Sequence, residues 1–376
     1  MIRIALIRQK YNPAGGAERF VSRALDALAQ EGGVSVTLLT RRWEGQAQGE
    51  RCIIDPFYVG NVWRDAGFAR AVQQHLAEQP FDLVQSHERI AGCDIFRAGD
   101  GVHAEWLVQR RRQLNAWGRF KLALNPYHHY VCRAEAEMFR HPRLQAVICN
   151  SRRVREDVKQ HFGLDDAQLP VIYNGVDTAL FHPNLQSHRA EVRQRYGIPE
   201  TAPLLLYVGS GFERKGVGRA IQALAAHAEV HLMIVGGDKH ARRYQALATQ
   251  LGLEARVHFA GVQKDVKPFY GAADALILPT LYDPFPNVCI EALACGLPLL
   301  TSQQCGAAEL LKTGETGWVC DALDVAGLTQ HIGHWLAARP HWDRLRHQAR
   351  QLAEPFTLES TAQALIALYQ RLLAAR

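Results

Sequence analysis

Short apolar runs alternate with segments of helical periodicity along nearly the whole chain. In the first half "IRIALI", "VSVTLLT", "FDLVQS" and "LQAVICN" read as buried strands, and a mostly helical stretch runs from about Val102 to Arg140. "SRRVREDVKQHF" continues with a helical pattern, and Ser151 stands where a cap is wanted. One more strand is expected within "LPVIYNGVDTALFHP", then a turn at Asn174-Gly175 and an irregular polar segment to about residue 190 that suits a hinge. Strand building resumes at "APLLLYVGS" and recurs in "VHLMIVGG", "RVHFAGV", "DALILPT", "LPLLTS" and "GWVCDA", with a helix-length pattern between each pair. The last stretch, "TLESTAQALIALYQRLLAAR", is amphipathic, with Ala362, Leu365, Leu368 and Leu372 at helical spacing.

This grammar of βαβ units predicts an α/β protein with parallel sheets. Two doubly wound, Rossmann-like domains are expected, over 1–173 and 174–354, with the helix of 355–376 packing back on the first. Ligands of such sheets bind beyond the carboxyl ends of the strands, here expected where the two domains face a cleft.

Composition narrows the picture further. A chain of 376 residues is too long for one ordinary core, and 48% hydrophobic with 21% charged residues is globular. No apolar run reaches the roughly eighteen residues of a membrane span. "MIRIALI" is too short for a signal peptide, so a cytoplasmic protein is expected. The eight cysteines show no C-x-x-C spacing, and Cys149, Cys289 and Cys295 lie in apolar runs, which predicts reduced core thiols. The net charge of +6 favours an anionic partner without specifying it.

Three loops at predicted strand ends carry candidate chemistry. After the first strand comes "NPAGGAERFVSRALDAL", where Gly15 and Gly16 permit a tight path and the next helix aims its N–H groups back at the strand end. This suits an anion, although a simple tight turn would look the same; Glu18 either favours the helix dipole or faces a ligand. After "LLLYV", Gly209 and Gly211 loosen a loop that delivers Arg214 and Lys215 ahead of a helix. A guanidinium fork and a compact ammonium there suit a diphosphate better than solvent. In "DPFPNVCIEALACG", Pro284 and Pro286 hold the loop extended, Asn287 is expected to cap, and the helix carries Glu291. Capping explains neither Asp283 nor Glu291, whereas two acceptors beside an anion cradle describe a sugar nucleotide.

The stretch from Asp283 to Glu291 resembles the E-x7-E motif of retaining family-four glycosyltransferases of the GT-B fold, with aspartate in place of the first glutamate. "GGAE", "DGVH", "YNGVD", "GSGFERKG", "VGGD", "FAGV" and "IEALACGLP" match in order across almost the whole chain. Among that family the chain is most similar to lipopolysaccharide-core glucosyltransferases. The resemblance implies that Arg214 and Lys215 bind the diphosphate of a UDP-sugar, Glu291 its ribose, and Asp283 a hydroxyl of the transferred hexose. It implies donor contacts at Gly15, Gly16, Glu18, Gly209, Gly211 and Val262, and at backbone amides around Pro286, Asn287 and Val288. His103 of "GDGVH" matches a histidine near the donor sugar. No D-x-D motif is present, so no metal or other cofactor is expected. A sugar-nucleotide 2-epimerase and a non-catalytic sugar-nucleotide binder remain as alternatives of the same architecture.

The most unusual stretch is "HAEWLVQRRRQLNAWGRFKLALNPYHHYVCRAEAEMFRHPR". Arg110, Arg111, Arg112, Arg119 and Lys121 crowd beside Trp106 and Trp117, a mixture suited to an anionic membrane or an anionic, lipid-linked acceptor. A solvated helical face over core aromatics is the plainer reading. Peripheral attachment to the inner face of the cytoplasmic membrane is expected. No nucleic-acid module is recognisable, and His128-His129 lack a ligand set.

Overall fold

The computed structural model describes residues 2–11, 34–43 and 50–374. Gly15, Gly16 and Glu18 lie outside the described residues. The chain divides into two compact units: Met1–Asn174 with Leu358–Arg376, and Gly175–Thr357.

In the first unit a parallel sheet holds β1 (Ile2–Ile7), β3 (Val34–Thr40), β5 (Glu50–Ile53), β6 (Leu83–Ser86), β7 (Ile95–Arg97) and β8 (Ala146–Ile148). Their order is β5-β3-β1-β6-β7-β8, and a small ribbon pairs β2 (Lys10–Tyr11) with β4 (Arg42–Trp43). Successive side chains of β1 go to opposite faces, as the period of a strand requires. Ile4 and Leu6 join a core with the C-terminal helix Leu358–Ala374, whereas Ala5 and Ile7 join one with Phe68 and Val72 of the helix Gly60–Glu78. A sheet covered on both faces needs near-continuous apolar strands, which is what the sequence supplies.

The C-terminal helix buries Leu358, Ala362, Leu365, Leu368, Tyr369 and Leu372. Tyr369 is fully buried, so its hydroxyl needs a partner, and it donates to Gln85 Oε1 of β6 at 2.7 Å.

The second unit repeats the plan with β9 (Leu204–Val208), β10 (His231–Val235), β11 (Val257–Gly261), β12 (Ala275–Leu278), β13 (Leu299–Ser302) and β14 (Gly317–Cys320). Their order is β11-β10-β9-β12-β13-β14. At the amino-terminal side of this sheet the buried Asp274 accepts from Arg189, Arg193, Arg346 and the Leu204 amide, so its charge is compensated.

Two short strands, β5 and β7, are not marked by the hydrophobic pattern. The expected strand within "LPVIYNGVDTALFHP" is reduced to two isolated bridges, Cys149 to Val171 and Val176 to Thr357. Pro170 precedes the first bridge and has no N–H to extend the ladder. The stretch from Val102 to Arg140 forms three helices, His103–Arg112, Ala116–Ala123 and Pro126–Phe139. All eight cysteines are free.

Candidate functional site

In the second unit β9 lies between β10 and β12, so the loops leaving β9 and β12 flank the point where strand order reverses. This is where a doubly wound sheet offers a crevice. The β9 loop turns at Gly211 (φ 71°) into a short helix, Phe212–Lys215, which ends at Gly216 (φ 83°). Phe212 donates its amide to Asp238 Oδ2 at 2.9 Å, anchoring the helix start to the β10 loop. The β12 loop is tied to the helix end: Leu281 N donates to the Arg214 carbonyl at 2.8 Å, and Thr280 Oγ1 to the same oxygen at 3.2 Å. Gly216 makes this approach feasible, because a Cβ there would sit 2.1 Å from the Pro279 carbonyl oxygen.

The tether brings the predicted charges together. Lys215 Nζ and Arg214 Nη1 each lie 3.2 Å from Asp283 Oδ2, and Arg214 Nη1 also donates to the Tyr282 carbonyl at 3.0 Å. Side-chain exposure is 12% for Lys215 and 10% for Asp283 but 38% for Arg214, so the guanidinium is the accessible edge of the cluster. Asp283 is fixed through its backbone, donating its amide to Gln304 and accepting from Gly306. Two cations on one carboxylate leave the cluster net positive, and it attracts a further anion.

Glu291 sits half-buried on the helix Asn287–Ala294 and accepts from Tyr270 Oη at 2.8 Å. Burial, and then the charge of Glu291, push the Tyr270 hydroxyl well above its usual range, so it remains a donor. Pro286 is the cap residue, Asn287 the first helical residue, and no side chain caps this helix; the expected cap by Asn287 is corrected accordingly. Pro286 also carries no amide hydrogen, so donors at this helix start come from Asn287 and Val288. Gly209 (φ 144°) lies against the Lys215 stem, and Val262 is 80% exposed after β11, beside Gly237.

His103 belongs to the first unit, where it opens its helix. Its amide donates to both oxygens of the fully buried Glu135, which also pairs with Arg89 at 2.9 Å. A carboxylate placed on first-turn amides offsets the positive end of the helix dipole. Burial, with Arg89 and His128 adding, lowers His103 to about 3, so the imidazole is neutral and shares one proton with His128 Nδ1 at 3.1 Å. Nearby, Trp117 stacks on Phe120, Lys121 lies over Trp117, and Arg119 donates to the Arg111 carbonyl. Trp106 is half-buried under Arg110, and Arg112 donates to Gln109.

Residues 14–180 match the model of Glycosyltransferase Family 4, and residues 188–352 that of Glycosyl transferases group 1. The chain is 31% identical over 324 residues to the lipopolysaccharide glucosyltransferase WaaG of Escherichia coli K12, covering 84% of each chain. This chain belongs to the family-four glycosyltransferases. It is also 26% identical to the lipopolysaccharide core biosynthesis glycosyltransferase LpsE of Rhizobium meliloti, over 94% of this chain and 95% of that protein. The crystal structure of WaaG superposes with a TM-score of 0.81 at 28% identity, covering 97% of this chain and 99% of that one. A sucrose-phosphate synthase from Thermosynechococcus elongatus shares the fold, with a TM-score of 0.77 at 24% identity over the full length of both chains. The two six-stranded parallel sheets are thus the two Rossmann-like halves of a GT-B glycosyltransferase.

Within this family-four enzyme, Arg214, Lys215 and Asp283 form one cluster, and Glu291 lies on the helix that follows. Sequence reasoning missed Asp238 and Tyr270, which hold parts of this site in place, and Arg89 and Glu135, which hold His103 in the first unit. Tyr270, Asp238, Arg89 and Glu135 stand outside any spacing that announces a role; only "VGGD" drew notice to Asp238.

Proposed function

We propose that the chain transfers glucose from UDP-glucose, with retained anomeric configuration, to a saccharide of a lipopolysaccharide core, without a metal ion. The observation that carries this reading is the convergence of Lys215 and Arg214 on Asp283 Oδ2 at the strand-order reversal. The relatives named for lipopolysaccharide transfer supply the substrate class.

The chemistry follows from the charges. A diphosphate carries more negative charge than one carboxylate, so it takes over Arg214 and Lys215 and frees Asp283 to accept from a hydroxyl of the hexose. Glu291, held by Tyr270, accepts from the ribose hydroxyls. As the C1–O bond to phosphate breaks, negative charge grows on the leaving oxygen, where the two cations stabilise it. The acceptor hydroxyl attacks from the same face, and its proton passes to the departing diphosphate. Neutral His103 contributes hydrogen bonding and not charge.

The helix Ala116–Ala123 and its last turn support a peripheral membrane role. Trp117, Phe120 and Leu124 are 62%, 53% and 62% exposed and recur at helical spacing on one face. Arg111, Arg112, Arg119 and Lys121, all exposed, surround them. Each apolar side chain buried in a bilayer interface contributes about 1.5–3 kcal/mol, and each cation near anionic lipid about 1 kcal/mol. No helix among the described residues is long and apolar enough to cross a membrane.

The test is UDP release by the purified chain given UDP-glucose and a core oligosaccharide, with and without EDTA. Release that needs both substrates and survives EDTA is the expected outcome. An epimerised sugar nucleotide formed without acceptor, or no turnover at all, overturns it. Sedimentation with anionic liposomes, compared between the native chain and a Trp117→Glu/Phe120→Glu variant, tests the membrane surface; equal binding removes it.

A further inference from the structure

The second unit contains a cavity of about 380 Å³ at the end of its sheet opposite the Arg214–Asp283 cluster. Its size falls within the roughly 300–1,000 Å³ of small-molecule sites. The buried Asp274, just before β12, lines it together with Thr201, ahead of β9, and the first turns of the helix Trp342–Ala353. None of the donor assignments uses it.

Three guanidiniums, of Arg189, Arg339 and Arg346, line the space against two carboxylates, Asp274 and the exposed Asp343. The buried layer is more unequal. Arg189, Arg193 and Arg346 all contact Asp274, three cations on one carboxylate. Burial lowers the pKa of Arg193 and of Arg346 even with Asp274 beside them, so this one acid does not offset the cost of burying them. The other acids nearby, Glu200 on Arg189 and Glu229 at 3.8 Å from Arg339, are well exposed, and water screens them.

The cations are not equally committed. Arg193 donates to Asp274 and to the carbonyls of Pro199, Glu200, Ala202 and Ala272. Arg189 donates to Asp274, Glu200 and the Ala272 carbonyl. Among the described residues Arg346 meets Asp274 alone, through Nη2 at 2.7 Å, although its side chain is only 19% exposed. Arg339 gives Nη2 to the Thr201 carbonyl at 2.6 Å and lies over the Trp342 ring. A guanidinium carries five N–H donors in a planar fork. Most of those on Arg346 and several on Arg339 therefore have no acceptor among the described residues. Such forks match the oxygens of a phosphoryl group, which accept from them in pairs. Trp342, half-buried and stacked on Trp335, offers a flat apolar surface beside the cations.

We propose that this cavity is a second anion site, separate from the donor cluster, which takes the phosphoryl group of a small phosphomonoester between Arg339 and Arg346.

Isothermal titration of the full chain with AMP, glucose 6-phosphate, adenosine, glucose and inorganic phosphate tests it. UDP is kept in excess throughout to occupy the Arg214–Lys215 cluster. At least one phosphomonoester should bind about tenfold or more tighter than its neutral parent, and the tighter one identifies the organic portion. An Arg339→Ala/Arg346→Gln variant should lose about tenfold or more of that affinity while binding UDP as the native chain does. Because Arg346 also holds Asp274, a second variant is made at the exposed rim residue Gln186. The added negative charge of Gln186→Glu should weaken binding about threefold, with an unchanged melting temperature. Binding no tighter than that of the neutral parents, or undiminished binding in either variant that folds, overturns the site. Inorganic phosphate binding as tightly as the better phosphomonoester reduces it to an adventitious ion only, and overturns the organic ligand. Failure of UDP to bind the native chain counts against the donor reading, and the two cavity variants still decide this site.

Discussion

Lys215 Nζ stands 3.2 Å from Asp283 Oδ2, and both side chains are largely withdrawn from water. Two residues 68 positions apart in sequence are thereby locked together, each the partner that the other needs when no donor is bound. In the proposed reaction the pair would act as a placeholder, the carboxylate occupying cations that the diphosphate would claim.

This relationship separates two variants by sign. Lys215→Ala should lower kcat/KM by about 10²–10³, the usual cost of removing one donor to a developing anion. Asp283→Asn removes the competitor, so UDP affinity should hold or tighten while kcat falls. Steady-state kinetics and UDP titration on the same preparations check both.

Tyr270→Phe deletes only the hydroxyl that aims Glu291. A hydrogen bond to a charged group contributes about 1.5–3 kcal/mol, part of which returning water restores. UDP should bind about tenfold more weakly, while kcat at saturating donor changes little. A matching fall in kcat would give Tyr270 a role beyond positioning.

Gly216→Ala introduces a Cβ at φ 83° and 2.1 Å from the Pro279 carbonyl oxygen. The left-handed backbone alone costs about 1–2 kcal/mol, before any displacement of the β12 loop. The melting temperature should fall by about 4 °C or more, and UDP affinity should fall with it. An unchanged melting curve would contradict the close approach of the two loops.

Burial lowers His103 to about 3 and His258 to about 4, and it lowers His87, His128, His231 and His331 as well. Between those values and the ordinary histidine pKa near 6.5, the unfolded chain binds protons that the folded chain refuses. This contribution is therefore complete above about pH 6.5 and is lost as the pH falls toward 4. Melting temperature should drop between pH 7 and pH 5. His258→Gln should flatten that slope, because its ring is held neutral against His231 at 3.0 Å.

Leu365→Ala should cost about 2–5 kcal/mol, as deletion of a fully buried leucine usually does. Urea denaturation monitored by circular dichroism reads the loss.

The strand-and-helix order of both units was legible because buried parallel strands are written as unbroken apolar runs, such as "LLLYV" and "ALIL". "ERCI" and "IFR" escaped notice because one begins with two charges at a sheet edge and the other is three residues long. Arg214, Lys215, Asp283 and Glu291 were visible because charges beside glycine and proline at strand ends have few structural explanations. Tyr270 was not, since a tyrosine on a helix looks like core until its hydroxyl is seen to meet a carboxylate. The gathering of Arg189, Arg193 and Arg346 on Asp274 was equally hidden. It exists only through tertiary packing, which no local pattern encodes.

The seventeen-residue helix Leu358–Ala374 completes the core of the unit that the chain began, while Gly175–Thr357 fold as a separate body between. During synthesis the ribosome must therefore finish the whole intervening lobe before one face of the first sheet receives its cover. Until then Ile4, Leu6, Leu83 and Ile148 stand open on the nascent chain, a sticky surface waiting for that one helix. Chain termination shortly before Leu358 would leave that early lobe permanently unsealed and a natural client for chaperones.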